Sequence, residues 1–181
     1  MELIKNLKEV SLVKNLFLAI LGTILLAVSA KIKIPFWPVP MTMQTFVVML
    51  LGILYGWKLG LFAVSLYLLE GIVGLPVFAG TPEKGVGLIY FTGPTMGYLI
   101  GFLMTVFLTG FFAFNNNFFK NFIKLIFSVS FIYLFGLLWL GLIIGWDKPV
   151  FELGAQPFLL AELFKVLILS LLIPKISKFR V

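Results

Sequence analysis

Glu162 and Lys165 are the residues whose type and spacing can do chemistry. They stand three apart inside PFLLAELFKVLILSLLIPK, residues 157–175, an otherwise apolar run. Three residues of α-helix put two side chains on neighbouring positions of one face, so a carboxylate and an ammonium there can pair or jointly address a third group. At the middle of a bilayer each charge costs about 2.5–3.5 kcal/mol, and less toward the interface. The positive N-terminal end of a helix favours Glu162 but opposes Lys165, so helix electrostatics alone does not account for the pair. A functional polar site built on both residues is the expected reason for the cost.

The chemistry open to that site is narrowed by what the chain lacks. There is no histidine and no cysteine, which removes the commonest metal ligands, thiol nucleophiles and the side chain that titrates near neutral pH. No metal and no cofactor is therefore expected. No GxxxxGK[ST] loop occurs, and the nearest glycine-rich stretch, Gly80 to Gly87, lacks the lysine-hydroxyl ending. Ser65, Ser128, Ser130 and Ser170 have no histidine to activate them. Binding is expected rather than catalysis. The alternatives are a small integral membrane enzyme using Glu162 as a base, and a carrier or channel that works alone.

The elements that position the pair follow from composition. Of 181 residues, 61% are hydrophobic and only 12% charged, more apolar surface than a soluble domain hides from water. The chain reads as an all-α integral membrane protein, one domain over residues 1–181. Six transmembrane helices are expected over approximately 12–30, 42–55, 59–73, 95–114, 122–144 and 157–173. The run Leu16 to Ala30 continues Leu12-Val13 and is read as a span rather than a cleaved signal, although Val28-Ser29-Ala30 has the small residues of a cleavage site.

Six crossings put both termini on one side. Lys5, Lys8, Lys14, Lys58, Lys120, Lys124, Lys175, Lys178 and Arg180 fall on that side, against Lys31, Lys33, Lys84 and Lys148 on the other, so both termini are expected to be cytoplasmic. The net charge of +7 is thus a matter of topology and not of nucleic-acid binding. The outer connections, 31–41, 74–91 and 145–156, carry Pro35, Pro38, Pro40, Pro76, Pro82 and Pro149 and suggest a cap. Glu162 and Lys165 then lie one to two turns beneath it. Glu70 reads as an interfacial residue, and most of the 21 phenylalanines as lipid-facing or packing rings. Ala19, Thr23 and Ala27 recur every four residues and form a smooth stripe for close helix approach, either within the chain or to a partner.

Four motifs resemble the BioY family. They are Pro40-Met41-Thr42-Met43-Gln44-Thr45, Gly74-Leu75-Pro76-Val77-Phe78-Ala79-Gly80, Gly93-Pro94-Thr95-Met96-Gly97-Tyr98 followed by Gly101-Phe102, and Pro157-Phe158 followed by Glu162 and Lys165. BioY proteins are the biotin-specific substrate-binding subunits of energy-coupling factor transporters. The resemblance implies a six-helix fold in a prokaryotic plasma membrane, surrounded by lipid, with a biotin pocket near the outer face under the loop between helices one and two. It implies as partners a transmembrane coupling subunit, which small residues of helix one would face, and two ATPase subunits.

Carried onto this chain, the resemblance gives Glu162 the urea N–H groups of biotin, and gives Lys165 its carbonyl or the holding of the carboxylate. Phe78 and Tyr98 would pack on the bicyclic ring, Gly80, Thr92 and Gly93 would allow close backbone approach, and Gln44 would add a polar contact. Lys31, Lys33 and Lys84 at the rim are either solvated or meet the ligand's carboxylate. Relatives often have Gly-Asp where this chain has Ala161-Glu162, so its carboxylate reaches one methylene further, which leaves room for altered affinity or a related cyclic urea; a binding subunit for a different vitamin is a further alternative.

Overall fold

The computed structural model describes residues 2–35, 37–83 and 85–181, with side chains from Leu12 onward within those ranges. The side chains of Lys5 and Lys8, and all of Lys84, lie outside the described residues. The order is α1 (Glu2–Lys31), β1 (Lys33–Ile34), β2 (Met41–Thr42), α2 (Gln44–Ile72), α3 (Leu88–Phe91), α4 (Met96–Phe111), α5 (Phe118–Ile144), α6 (Val150–Gly154) and α7 (Gln156–Ile176), followed by a 3₁₀ turn at Ser177–Phe179. Among the described residues four helices are long and apolar enough to cross a membrane: Leu12–Lys31, Gln44–Ile72, Phe118–Ile144 and Gln156–Phe179. Met96–Phe111 is apolar but shorter.

The long α2 is a hairpin rather than one rod. Gly56 leaves helical geometry at φ 68° and ψ 177°, a left-handed φ that glycine adopts without steric cost. A Cβ on Gly60 would lie 3.7 Å from the Cα of Gly52, whereas eight residues of straight helix span about 12 Å. Gln44 and Tyr67 likewise meet in a 2.8 Å hydrogen bond. Residues 44–55 and 57–72 therefore run back alongside each other, and the reversal falls in the short Gly56-Trp57-Lys58 connection. The C-terminal tail closes this turn. The Val181 N–H donates to Leu54 O at 2.8 Å, and Arg180 donates to Gly110 O at the end of α4. Carbonyls in the last turns of two helices thus find donors.

Two helix boundaries differ from expectation for local reasons. The α4 helix stops at Phe111 because Phe112 is already extended and Asn115 accepts from Asn117 N and Asn121 Nδ2. The α5 helix starts at Phe118, earlier than the apolar pattern suggests, because the Asn117 side chain caps it by accepting from Lys120 N at 3.0 Å.

The α4 helix sits between α2 and α5, α1 packs on α2, and α7 lies against α5 and α2. Val48, Met49, Val64, Val106, Leu125, Ile132, Val166 and Leu169 fill the centre, while Leu12, Val13, Phe17 and Val28 of α1 face outward, as lipid-facing residues do. At one end of the bundle gather the β1–β2 pair, the segment 73–95 with α3, and the 145–155 connection with α6.

Candidate functional site

The α7 helix carries Glu162 and Lys165 into the bundle just below that end. Both side chains are buried, at 5% and 9% exposure, and their charged groups meet at 3.3 Å. Two other elements complete the network. From the start of α2, Thr45 Oγ1 accepts from Lys165 Nζ at 2.9 Å and donates to Glu162 Oε2 at 2.9 Å. From the end of β2, the Thr42 carbonyl accepts from Lys165 Nζ at 2.8 Å. From α5, Tyr133 donates to Glu162 Oε2 at 3.1 Å.

An ammonium has three N–H groups, and Lys165 places one on each of Thr42 O, Thr45 Oγ1 and Glu162 Oε2. All of its capacity is used inside the protein. Glu162 differs, because Oε2 takes three donors while Oε1 takes none. Among the described residues Oε1 is the one fully buried side-chain oxygen or nitrogen without a hydrogen-bond partner. Such an atom is costly unless something donates to it.

That carboxylate lines a cavity of about 60 Å³. Its walls are Val39, Pro40, Met41 and Thr42 from the β1–β2 segment, Gln44 and Thr45 from α2, and Phe78, Ala79, Tyr90 and Thr95 from the outer connection. Tyr98, Leu99 and Phe102 of α4, Ile132 and Tyr133 of α5, and Phe158, Glu162 and Lys165 of α7 complete it. Aromatic rings dominate one wall. Phe78 stacks on Tyr90 with centroids 4.7 Å apart and meets Tyr67 edge-on at 5.3 Å. Its ring lies directly on Gly71, where an added Cβ would fall 2.0 Å from it. The Tyr98 ring rests on Gly136 in the same way, at 2.4 Å, and its hydroxyl donates to Gly154 O at 2.8 Å. The result is a flat-walled, largely apolar chamber with one acidic acceptor at its base, suited to a small planar ligand that donates N–H bonds.

A model of the BioY family matches residues 4–180. The chain belongs to the BioY family. Among its relatives is a probable biotin transporter BioY from Pyrococcus horikoshii, 37% identical over 87% of this chain and 89% of that one. The biotin transporter BioY of Thermotoga maritima is 34% identical over 93% and 98%. The fold also superposes on a crystal structure of the S-component for biotin from an ECF-type ABC transporter, with a TM-score of 0.77 and 28% identity over 93% of each chain.

Within this BioY-family chain the residues singled out from sequence divide into groups. Glu162, Lys165, Gln44, Phe78 and Tyr98 come together around the cavity, although Gln44 already spends its amide on Tyr67 and Thr42. Gly80, Thr92 and Gly93 do not line it. Gly80 lines a second, outer cavity. Thr92 is exposed and donates to Ile89 O of its own turn, and the Gly93 carbonyl accepts from Trp139 Nε1 at 2.9 Å. Ala19 and Thr23 are fully buried and Ala27 is partly so. Beside them a Cβ on Gly22 would approach Ala63 of α2 at 3.1 Å, so this stripe packs inside the chain. Lys31 does not face the cavity either, since it holds Phe78 O, Thr81 O and Thr81 Oγ1.

Sequence reasoning missed Thr42, Thr45, Tyr90 and Tyr133. Thr42 and Thr45 lie in one of the four motifs, but Thr42 enters through its backbone carbonyl, which no residue type announces, so only the Thr45 hydroxyl was open to reading from that motif. Tyr133 stands in an apolar helix with nothing local to mark it.

Proposed function

We propose that this chain is the biotin-binding subunit of an energy-coupling factor uptake system. It takes biotin at the end of the bundle under the β1–β2 segment and delivers it inward with a transmembrane coupling subunit and two ATPase subunits. The observation that carries the reading is Glu162 Oε1, an unpartnered buried acceptor in an aromatic-walled cavity of a BioY-family chain. The cyclic urea of biotin supplies N–H donors for that atom, the bicycle lies between Phe78 and Tyr98, and Lys165 holds the carboxylate in place rather than addressing the ligand. The chain catalyses no reaction, in keeping with a family of transport proteins.

The membrane arrangement in this reading is six crossings, with the two arms of α2 as separate spans, both termini cytoplasmic, in the plasma membrane of a prokaryotic cell. Because the chain has no cysteine, single cysteines report topology cleanly. Those at Leu75 and Trp146 are expected to react with an impermeant reagent added outside cells, and one at Asn116 only after permeabilisation.

Competitive binding to the purified protein tests the ligand. Labelled biotin is expected to bind saturably and to be displaced by unlabelled biotin far better than by lipoate, thiamine or riboflavin. Stronger displacement by another vitamin would reassign the ligand.

A further inference from the structure

A second cavity of about 330 Å³ lies above the first, lined in part by Lys33, Trp37, Gly80 and Glu83, and it shares Pro40 and Ala79 with the inner chamber. Pro40 and Ala79 line both cavities, so the two lie side by side. The cations near the outer one are not equivalent. Lys31 spends its ammonium on three acceptors in the 78–81 segment. Among the described residues Lys33 makes one hydrogen bond, to Ala79 O at 2.8 Å. Its nearest carboxylate, Glu83, stands 3.9 Å away and is 78% exposed. Two of the three N–H groups of Lys33 therefore remain for a ligand.

The backbone places Lys33 next to the inner site. Lys33 pairs with Thr42 across the β1–β2 ladder, and paired antiparallel residues sit about 4.5–5.5 Å apart at Cα. The carbonyl of that same Thr42 accepts from Lys165. One β pair thus ties the outer cation to the network that holds the inner carboxylate.

We infer that Lys33 is the residue that recognises the ligand's free carboxylate, setting a preference for acids over their esters and amides. The inference rests on the biotin reading, in which a ligand with N–H donors at one end and a carboxylate on a flexible chain at the other spans both cavities. The bond is charge-assisted but partly solvated, so its effect is about tenfold in affinity.

The test is calorimetric titration of the full chain in detergent with biotin and with biotin methyl ester. Wild type is expected to bind the acid about tenfold more tightly than the ester. Lys33→Gln is expected to bring the acid to the level of the ester while leaving the ester unchanged, and Lys33→Arg to keep the preference. Equal binding of acid and ester by wild type overturns the inference without touching the biotin reading. So does a Lys33→Gln variant that weakens both ligands equally, which would make the bond to Ala79 O a structural one. Wild-type protein that binds neither ligand overturns the biotin reading and the inference together.

Discussion

Thr45 on α2 and Glu162 on α7, 117 residues apart in sequence, meet in a 2.9 Å hydrogen bond, and the same hydroxyl accepts from Lys165 at 2.9 Å. The threonine joins cation to anion and aims the carboxylate. With Oε2 occupied by Thr45, Tyr133 and Lys165, only Oε1 is left for the cavity. Two functions are therefore separable within one buried pair: Lys165 organises, and Glu162 presents.

Removing the organiser is expected to damage stability as much as binding. Lys165→Ala leaves Glu162 buried without its cation, and losing one partner of a buried pair costs on the order of 3–5 kcal/mol. Thermal unfolding of the detergent-solubilised variant is expected at clearly lower temperature, with weaker biotin binding. An unchanged melting temperature would show that the pair contributes little to the folded state.

Tyr133→Phe removes one donor from the Glu162 carboxylate and leaves the ring in place. A hydrogen bond to a charged group contributes about 1.5–3 kcal/mol, so biotin affinity is expected to fall by tenfold or somewhat more, while the edge-on contact of the ring with Tyr98 at 6.4 Å is retained. Titration of both proteins measures it, and equal affinities would place Tyr133 outside the binding machinery.

Gly71→Ala tests the aromatic wall through a residue that does not line the cavity. Its new Cβ would meet the Phe78 ring at 2.0 Å, so the ring must shift. An affinity loss of at least tenfold is expected, with normal insertion of the protein into membranes. Full binding by this variant would mean that Phe78 does not shape the ligand site.

Deleting Arg180 and Val181 probes the opposite end. The carbonyls of Leu54 and Gly110 lose their donors, so a lower melting temperature is expected with biotin affinity unchanged. A loss of affinity would show that the turn at Gly56 and the ligand site are coupled.

The charged pair was legible in the sequence because hydrocarbon makes every buried charge expensive, so Glu162 and Lys165 stood out against residues 157–175 without help from any other element. The reversal at Gly56 was legible in part, since a glycine between two apolar runs reads as a turn. The partners of the pair were not. Thr45 and Tyr133 cost little to bury and carry no charge, so only the packing of α2 and α5 on α7 reveals that they converge. The stripe Ala19, Thr23 and Ala27 shows the opposite case. Small residues announce close helix approach but not which helix approaches, and here α2 of the same chain does so. Gly93 opens a motif whose first three residues precede α4, and Thr92 stands just before it, whereas Tyr98 of the same motif lies inside α4 and does reach the cavity.

Calorimetric titration of biotin into wild type and Glu162→Gln tests the assignment of Oε1 most directly. In the variant Thr45, Tyr133 and Lys165 still require an acceptor, so the amide oxygen turns to them and the amide NH₂ faces the cavity, presenting donors to the donors of the urea. Saturable wild-type binding, weakened at least tenfold in Glu162→Gln, is the expected result, read below the lowered melting temperature of a variant that leaves Lys165 buried without its anion. Equal affinity in the two proteins would contradict the placement of biotin on Glu162.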